Sequence, residues 1–359
     1  MHFNVKLDRR SIRELIASDT PLIDVRAPVE FAQGALPLAC NLPLLDDAQR
    51  EQIGTVYQQD GREAAIELGL KLATLDVRQQ RVERWLMWLD GREQPALYCF
   101  RGGMRSKFSQ QWLQEAGIDI PIIEGGYKAI RHEMLAVLSE LATSKLIAIS
   151  GATGAGKTEV VHQVASAIDL EGAANHRGSV YGGSAETQPS QVDFEHEVAR
   201  QYLQRSNFNQ IAMEDEGRLI GRVSVPNEVL AALKSAPMVI VESSLEERVA
   251  RLFAQYVAET VEKDRNDPYG ALRRFVQNGL DRIQKRLGGV RYDALSTLNI
   301  NAAEALERAA DPAGYYEFIQ ILLSDYYDPM YSYQRSKRAS TVLFSGGVDA
   351  VADYLNQQP

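Results

Sequence analysis

The run Gly151-Ala152-Thr153-Gly154-Ala155-Gly156-Lys157-Thr158 restricts the fold more than any other stretch of this chain. It satisfies the G-x-x-x-x-G-K-[ST] pattern of a phosphate-binding P-loop, and the apolar segment 146–150 before it reads as a buried strand. The glycines let backbone N–H groups close on phosphate oxygens. Lys157 adds a point charge, and Thr158 offers a hydroxyl to Mg²⁺. Residues 159–168 are expected to form the helix that follows. Strand, loop and helix in that order point to an α/β fold with a parallel sheet.

A metal partner for such a loop belongs at the end of a neighbouring strand. Ile211-Ala212-Met213-Glu214-Asp215-Glu216 fits, with Asp215 the first choice and Glu214 the second; the alternative is a solvated acidic turn. Residues 238–242 read as another parallel strand. Ser244-Leu245-Glu246-Glu247 is a capping box opening an amphipathic helix expected to reach Val257. No guanine-reading Asn-Lys-x-Asp segment is present, so the sequence does not specify a nucleotide.

A second chemical centre lies upstream, at Cys99-Phe100-Arg101-Gly102-Gly103-Met104-Arg105-Ser106. It follows a short strand, 95–98, and leads to a helix expected at 108–116. A cysteine at a strand end, before glycines and a helix start, faces unpaired backbone N–H groups. That field, with Arg101 and Arg105, favours the nucleophilic thiolate, and the backbone of Gly102, Gly103, Met104 and Ser106 can hold a tetrahedral anion beside it. The competing reading, a buried structural cysteine, is weakened by two glycines and two arginines within so few residues. Cys40 reads as a small buried hydrophobe.

At 359 residues the chain is long for one core, so two domains are expected, 1–142 and 143–359. Two cysteines make no disulfide framework, which points to a reducing cytoplasm. No apolar run approaches the roughly 18 residues of a membrane span. Helices are expected within 46–75, at 76–90, 128–141 and 348–355, and a strand at 120–124.

The net charge of −9 argues against broad nucleic-acid binding but leaves room for a local basic face. Arg273, Arg274, Arg282, Lys285, Arg286 and Arg291 cluster between Tyr269 and Tyr292. They read either as a solvated helix face or as a phosphate-tracking surface for RNA. Tyr315-Tyr316 and Tyr326-Tyr327-Asp328-Pro329-Met330-Tyr331-Ser332-Tyr333 suit either base stacking or packing of a helical lid. The loop His176-Arg177-Gly178-Ser179-Val180-Tyr181-Gly182-Gly183 is either a surface connection or a donor set, from His176, Arg177 and Ser179, for a phosphate or substrate.

The order strand, Asp24-Val25-Arg26, Glu30-Phe31, Gly34 turn, Asn41-Leu42-Pro43, ahead of the Cys99 loop, resembles the rhodanese-like domain. In that frame Asp24 and Arg26 tie loops together near the site. The whole set, Cys99-Phe-Arg-Gly-Gly-Met-Arg-Ser, Glu124-Gly-Gly-Tyr, the P-loop, His176-Arg-Gly-Ser and Tyr326-Tyr-Asp-Pro, resembles the bacterial tRNA 2-selenouridine synthases over essentially the full chain. The resemblance implies a rhodanese-like α/β domain followed by a P-loop NTPase-like α/β domain with a helical, locally basic C-terminal part. It implies a cytoplasmic transferase that converts wobble 2-thiouridine in the tRNAs for Lys, Glu and Gln to 2-selenouridine. The route is S-geranylation by geranyl diphosphate, then selenation by selenophosphate, with selenophosphate synthetase as a partner. The family's essential cysteine falls on Cys99 and its Walker lysine on Lys157. On this reading Cys99 takes selenium from selenophosphate as a selenosulfide, and the P-loop residues Gly151, Thr153, Gly154, Ala155, Gly156, Lys157 and Thr158 seat the diphosphate. No structural metal is expected.

Three other readings remain at this level. Cys99-x5-Arg105 has the spacing of cysteine phosphatases, although no leaving-group acid is evident. A sulfurtransferase with a regulatory NTPase module, and a non-enzymatic RNA-binding protein, complete the set.

Overall fold

The computed structural model describes residue 3, residues 5–183 and residues 187–357. Two compact units are present: Met1–Glu140 with Ser190–Gln204, and Leu141–Pro189 with Arg205–Pro359.

In the first unit β1 (Leu22–Asp24), β2 (Ala39–Asn41) and β3 (Ala96–Tyr98) form a parallel sheet in the order β2-β1-β3. Every residue of β1 and β3 is buried, as in a parallel sheet covered on both faces, and the one charged member, Asp24, is buried with a charged partner. The registers Asp24↔Asn41 and Asp24↔Tyr98 bring the carboxyl ends of all three strands to one edge. The strand expected at 120–124 reduces to single bridges from Ile122 to Leu7 and to Leu97, so pairing is lost on both sides of that residue.

The helical stretch Asp47–Leu72 is interrupted at Gly61, whose φ of 86° and ψ of −172° lie outside the helical region. The two arms fold back on each other, and a β-carbon on Gly69 would meet Ile53 Cδ1 at 3.6 Å. Helix Leu75–Leu89 buries Trp85 and Leu89. Trp85 Nε1 donates to the Leu42 carbonyl at 2.9 Å, and its ring stacks on Trp112.

Ser190–Gln204 belongs to this first unit although it follows the P-loop in sequence. Its helix, Gln191–Arg205, buries Phe194, His196, Val198 and Ala199. His196 Nδ1 lies 2.7 Å from the Ala35 carbonyl, the Ala35 amide donates to Asp193 at 2.7 Å, and Arg131 pairs with Glu195. An amphipathic period marks such a helix as half-buried but does not say against which neighbour.

The second unit carries β4 (Leu146–Ser150), β5 (Ala167–Ile168), β6 (Ile211–Glu214), a small hairpin of β7 (Leu219–Ile220) and β8 (Val223–Ser224), β9 (Met238–Val241) and β10 (Val342–Gly346). Its main sheet is wholly parallel, in the order β10-β9-β4-β6-β5. The helix after the P-loop ends at Gln163 rather than continuing to 168. Val164 turns extended, and 167–168 become an edge strand on β6, whose ladder claims the backbone groups a longer helix would have used. The amphipathic helix after Ser244 is α-helical over Leu245–Leu252 and π-helical over Phe253–Ala258. A second π segment spans Leu323–Tyr327.

Candidate functional site

Cys99 leaves the carboxyl end of β3, where a covered parallel sheet places its ligand crevice. The thiol residue is buried, at 3% exposure, and the helix Met104–Glu115 begins just beyond it with Gly103 at its N-cap. Tyr127 N donates to the Cys99 carbonyl at 2.9 Å and Lys128 N to that of Phe100 at 3.0 Å. The turn Gly125-Gly126 is thereby pressed onto the cysteine loop. Gly102, Gly125 and Gly126 have φ of 65°, 73° and 58°. A β-carbon on Gly102 would come 3.2 Å from Gly125 N, so two backbones meet where no side chain fits.

Arg105 and Glu30 form a bidentate pair, with Nη2 to Oε1 at 3.0 Å. Burial pushes the Glu30 carboxyl up, but the Arg105 guanidinium more than offsets it, and the pKa falls below the ordinary value. Burial likewise disfavours the Arg105 charge, which Glu30 restores and strengthens. This arginine holds the loop to the helix Pro28–Ala32 instead of standing free for a phosphate. Arg101 is exposed and forms no ion pair among the described residues; its guanidinium sits 5.7 Å from the Phe100 ring centroid. Ser106 is fully buried, and its hydroxyl has no partner among the described residues. Asp24 and Arg26 are a buried ion pair. Arg26 also donates to the Gly34 carbonyl at 2.9 Å and lies 3.7 Å over the Tyr127 ring, so it links β1, the Gly34 turn and the glycine turn.

Next to the thiol is a cavity of about 650 Å³ lined by Cys99, Arg101, Leu44, Ile53, Ile66, Phe108 and Trp112, among others. Both arms of the 47–72 helical stretch wall it. Sequence reasoning missed this cavity, because the arms come together only through the break at Gly61.

In the second unit the P-loop joins β4 to helix Lys157–Gln163. Gly154 and Gly156 have φ of 79° and 99°, and a β-carbon on Gly151 would stand 2.9 Å from the Val241 carbonyl. Lys157 Nζ reaches the Gly151 carbonyl at 3.4 Å. Burial opposes its charge, yet Glu216, Glu171, Glu214 and Asp215 together raise its pKa. Thr158 Oγ1 lies 3.1 Å from Glu171 Oε2 and 3.3 Å from Glu214 Oε1. Burial and mutual repulsion push Glu171 up to about 7 and move Glu214 and Glu216 upward as well.

Glu214 is therefore the residue at the end of β6 that meets the P-loop threonine. Asp215 turns away, accepting from Ser150 Oγ at 2.9 Å and pairing with Arg338. Glu171 was not legible in advance, since nothing in Leu170-Glu171-Gly172 marks it. Two further arginines brace the loop. Arg248 Nε donates to the Thr153 carbonyl at 2.9 Å, and Arg251 Nη1 to that of Gly154 at 2.7 Å. Both come from the helix opened by the Ser244 capping box. Carboxylate and hydroxyl oxygens crowded around Thr158 suit a hard cation such as Mg²⁺ shared with a substrate phosphate. No group of three or more metal-ligating side chains among the described residues would hold an ion unaided.

The 176–183 loop is pinned rather than open. Arg177 Nη2 donates to both carboxylate oxygens of Glu259, Ser179 Oγ is 2.8 Å from Tyr256 OH, and Tyr181 is buried. His176 Nδ1 has no partner among the described residues. Burial and the nearby Arg282 lower the His176 pKa. Arg273, Arg274, Arg282, Lys285, Arg286 and Arg291 are all exposed. Arg274 pairs with Asp267, Arg291 with Asp325, and Arg282 donates to the Val180 carbonyl. Tyr315, Tyr326 and Tyr327 go into the helical core, whereas Tyr333 remains exposed with Lys337 over its ring.

Residues 144–359 match the family model described as the tRNA 2-selenouridine synthase AAA domain, and residues 8–133 match that of the rhodanese-like domain. The chain belongs to the tRNA 2-selenouridine synthase family. It is 41% identical over 351 residues to the tRNA 2-selenouridine synthase of Shewanella frigidimarina, covering 96% of each chain. It is 43% identical over 357 residues to that of Hahella chejuensis, covering 97% of this chain and 94% of the other. The family's rhodanese-like part thus holds the Cys99 loop and its cavity, and its AAA part holds the P-loop and the acidic cluster. No helix among the described residues is long and apolar enough to cross a membrane.

Proposed function

We propose that this chain forms 2-selenouridine in tRNA from 2-thiouridine, in two steps. In the first, the C2 sulfur attacks C1 of geranyl diphosphate, the C–O bond breaks, and diphosphate leaves. In the second, the Cys99 thiolate attacks phosphorus of selenophosphate, the P–Se bond breaks and selenide leaves to attack C2. The C2–S bond breaks, and water then releases phosphate from the cysteine. A selenosulfide on Cys99 would need an oxidant and is not part of the step. Overall, S-geranyl-2-thiouridine, selenophosphate and water give 2-selenouridine, geranylthiol and phosphate. The S-alkylated sulfur departs as a thiol, which the unmodified sulfur cannot do.

The observation that carries this reading is the joining, in one chain of the family, of a buried cysteine at a glycine-rich helix entry with an intact P-loop. Small anions have a place in each unit. Backbone N–H groups at 102–106, with Arg101, suit selenophosphate. The P-loop with Lys157 suits the diphosphate, where Mg²⁺ held near Thr158, Glu214 and Glu171 would neutralise charge on the departing group. Tying Arg105 to Glu30 counts against a cysteine phosphatase, which needs that arginine on its substrate. The tRNAs for Lys, Glu and Gln are the proposed substrates, and selenophosphate synthetase the proposed supplier.

Nucleoside mass spectrometry on 2-thiouridine tRNA tests the reading, with geranyl diphosphate and selenophosphate supplied separately and together. Geranylated nucleoside is expected with the first reagent, and selenouridine only with both and only when Cys99 is present. Unchanged tRNA throughout would remove the proposal. In Lys157→Ala the affinity for geranyl diphosphate should fall at least about tenfold; an unchanged affinity would move the diphosphate elsewhere.

A further inference from the structure

The cavity beside Cys99 is far larger than a selenophosphate ion needs. At about 650 Å³ it falls in the range of pockets that enclose whole organic ligands, about 300–1,000 Å³. Its wall is mostly hydrocarbon: Ile53, Ala65, Ile66, Leu70, Phe108 and Trp112 among others.

The polar groups that reach it are largely engaged elsewhere. Gln49 Oε1 accepts from the Asp46 amide at 3.1 Å, completing a helix cap, and Arg105 is held by Glu30. Arg62 points its Nη2 at Met104 Sδ, 3.9 Å away. Arg101 and Tyr57 also reach the wall, and with Arg101 taken by selenophosphate a nucleobase placed here would leave most of its donors and acceptors without partners. A hydrocarbon chain would leave none unpaired.

From this geometry we infer that the cavity receives the prenyl chain of the S-alkylated nucleoside during selenation. The chain lies between the two arms of the 47–72 stretch, with the C–S bond to be broken near Cys99. The inference rests on the S-geranyl intermediate proposed above, and it assigns that intermediate to the first unit. Burial of the chain would give the second step its selectivity: the cavity rewards a long apolar thioether and gains little from a 2-thiouridine that has not been alkylated.

The test compares full-length wild type with Ala65→Phe, which fills the cavity, and Leu70→Gln, which places a polar group at a wall position already 41% exposed. Dissociation constants are measured for anticodon stem-loop RNA carrying S-geranyl- or S-methyl-2-thiouridine. Wild type should favour the geranyl RNA at least about tenfold, and both variants should bring that ratio close to one. The S-methyl RNA serves as the reference within each variant, and Leu70→Gln covers the case in which Ala65→Phe fails to fold. A wild-type ratio near one, or a ratio within twofold of wild type in the folded variants, would overturn the assignment. Geranylation is assayed separately on wild type. Its absence would remove the functional reading, while a geranyl preference lost in the variants would still establish the cavity.

Discussion

A β-carbon placed on Gly126 would stand 2.2 Å from the carbonyl oxygen of Cys99. The same atom would lie 2.6 Å from the Gly102 amide nitrogen, so the glycine turn and the cysteine loop touch backbone to backbone. The position of the thiol therefore depends on a residue 27 places further along the chain that has no side chain of its own.

Gly126→Ala should cost about 3 kcal/mol, combining a left-handed φ with an overlap that no rotamer relieves. All three tryptophans, Trp85, Trp88 and Trp112, lie in the first unit, so their fluorescence in a urea titration reports this loss directly. A midpoint equal to wild type would show that the turn can separate from the loop.

Glu30→Ala strands the Arg105 guanidinium among buried neighbours and should destabilise the first unit by about 2–4 kcal/mol. The pH dependence has a definite sign. The Glu30 pKa is lowered on folding, so the pair's contribution is complete above the unfolded value near 4.5 and is lost as pH falls through the folded one. Urea midpoints of wild type and variant should converge in that acid range, and parallel curves down to pH 3 would contradict it.

His196 should impose a second acid dependence. Burial is the main cause of its fall from 6.5 to about 4, and its Nε2 has no partner among the described residues. The unfolded chain takes up a proton below pH 6.5 that the folded chain refuses until about pH 4. Stability is thus complete above pH 6.5 and falls by about 3 kcal/mol on the way to pH 4. In His196→Phe this decline should be absent, so the wild-type-minus-variant difference should itself fall by that amount between pH 6.5 and pH 4, whatever the variant's stability at neutral pH.

Arg273, Lys285 and Arg286 are exposed and form no ion pair among the described residues, which leaves their charge available to phosphates. Replacing all three by Ala should weaken tRNA binding about tenfold or more near 0.1 M salt and lower the slope of log K against log salt by about 2–3. Equal slopes would identify the face as merely solvated.

Much of the fold was legible because strong local patterns carried it. Leu146–Ser150 is a strand with the bounds its apolar run suggests, and the P-loop needs its strand and helix on either side. Cys99 at a strand end, before glycines and a helix, could be read the same way. The order of a rhodanese-like part and a P-loop part followed from motifs whose spacing is short.

Side-chain partnerships were not legible. Arg105 lies six residues from Cys99 in sequence, but its charge goes to Glu30, which only the packing of another helix brings within reach. Asp215 is the first choice on sequence and Glu214 the second, but the end of β6 presents Glu214 to Thr158, while Asp215 just beyond it goes to Arg338. Glu171 joined the P-loop without any motif.

The sequence by itself determined the two loops and the parallel α/β architecture, because each depends on neighbours within a few residues; the residues alone left the reaction open among several classes. The tertiary structure alone decided which charges are neutralised, where Ser190–Gln204 belongs, and that a cavity opens beside the thiol. Those features depend on contacts between residues far apart in the chain, and close packing settles them only when the whole unit assembles.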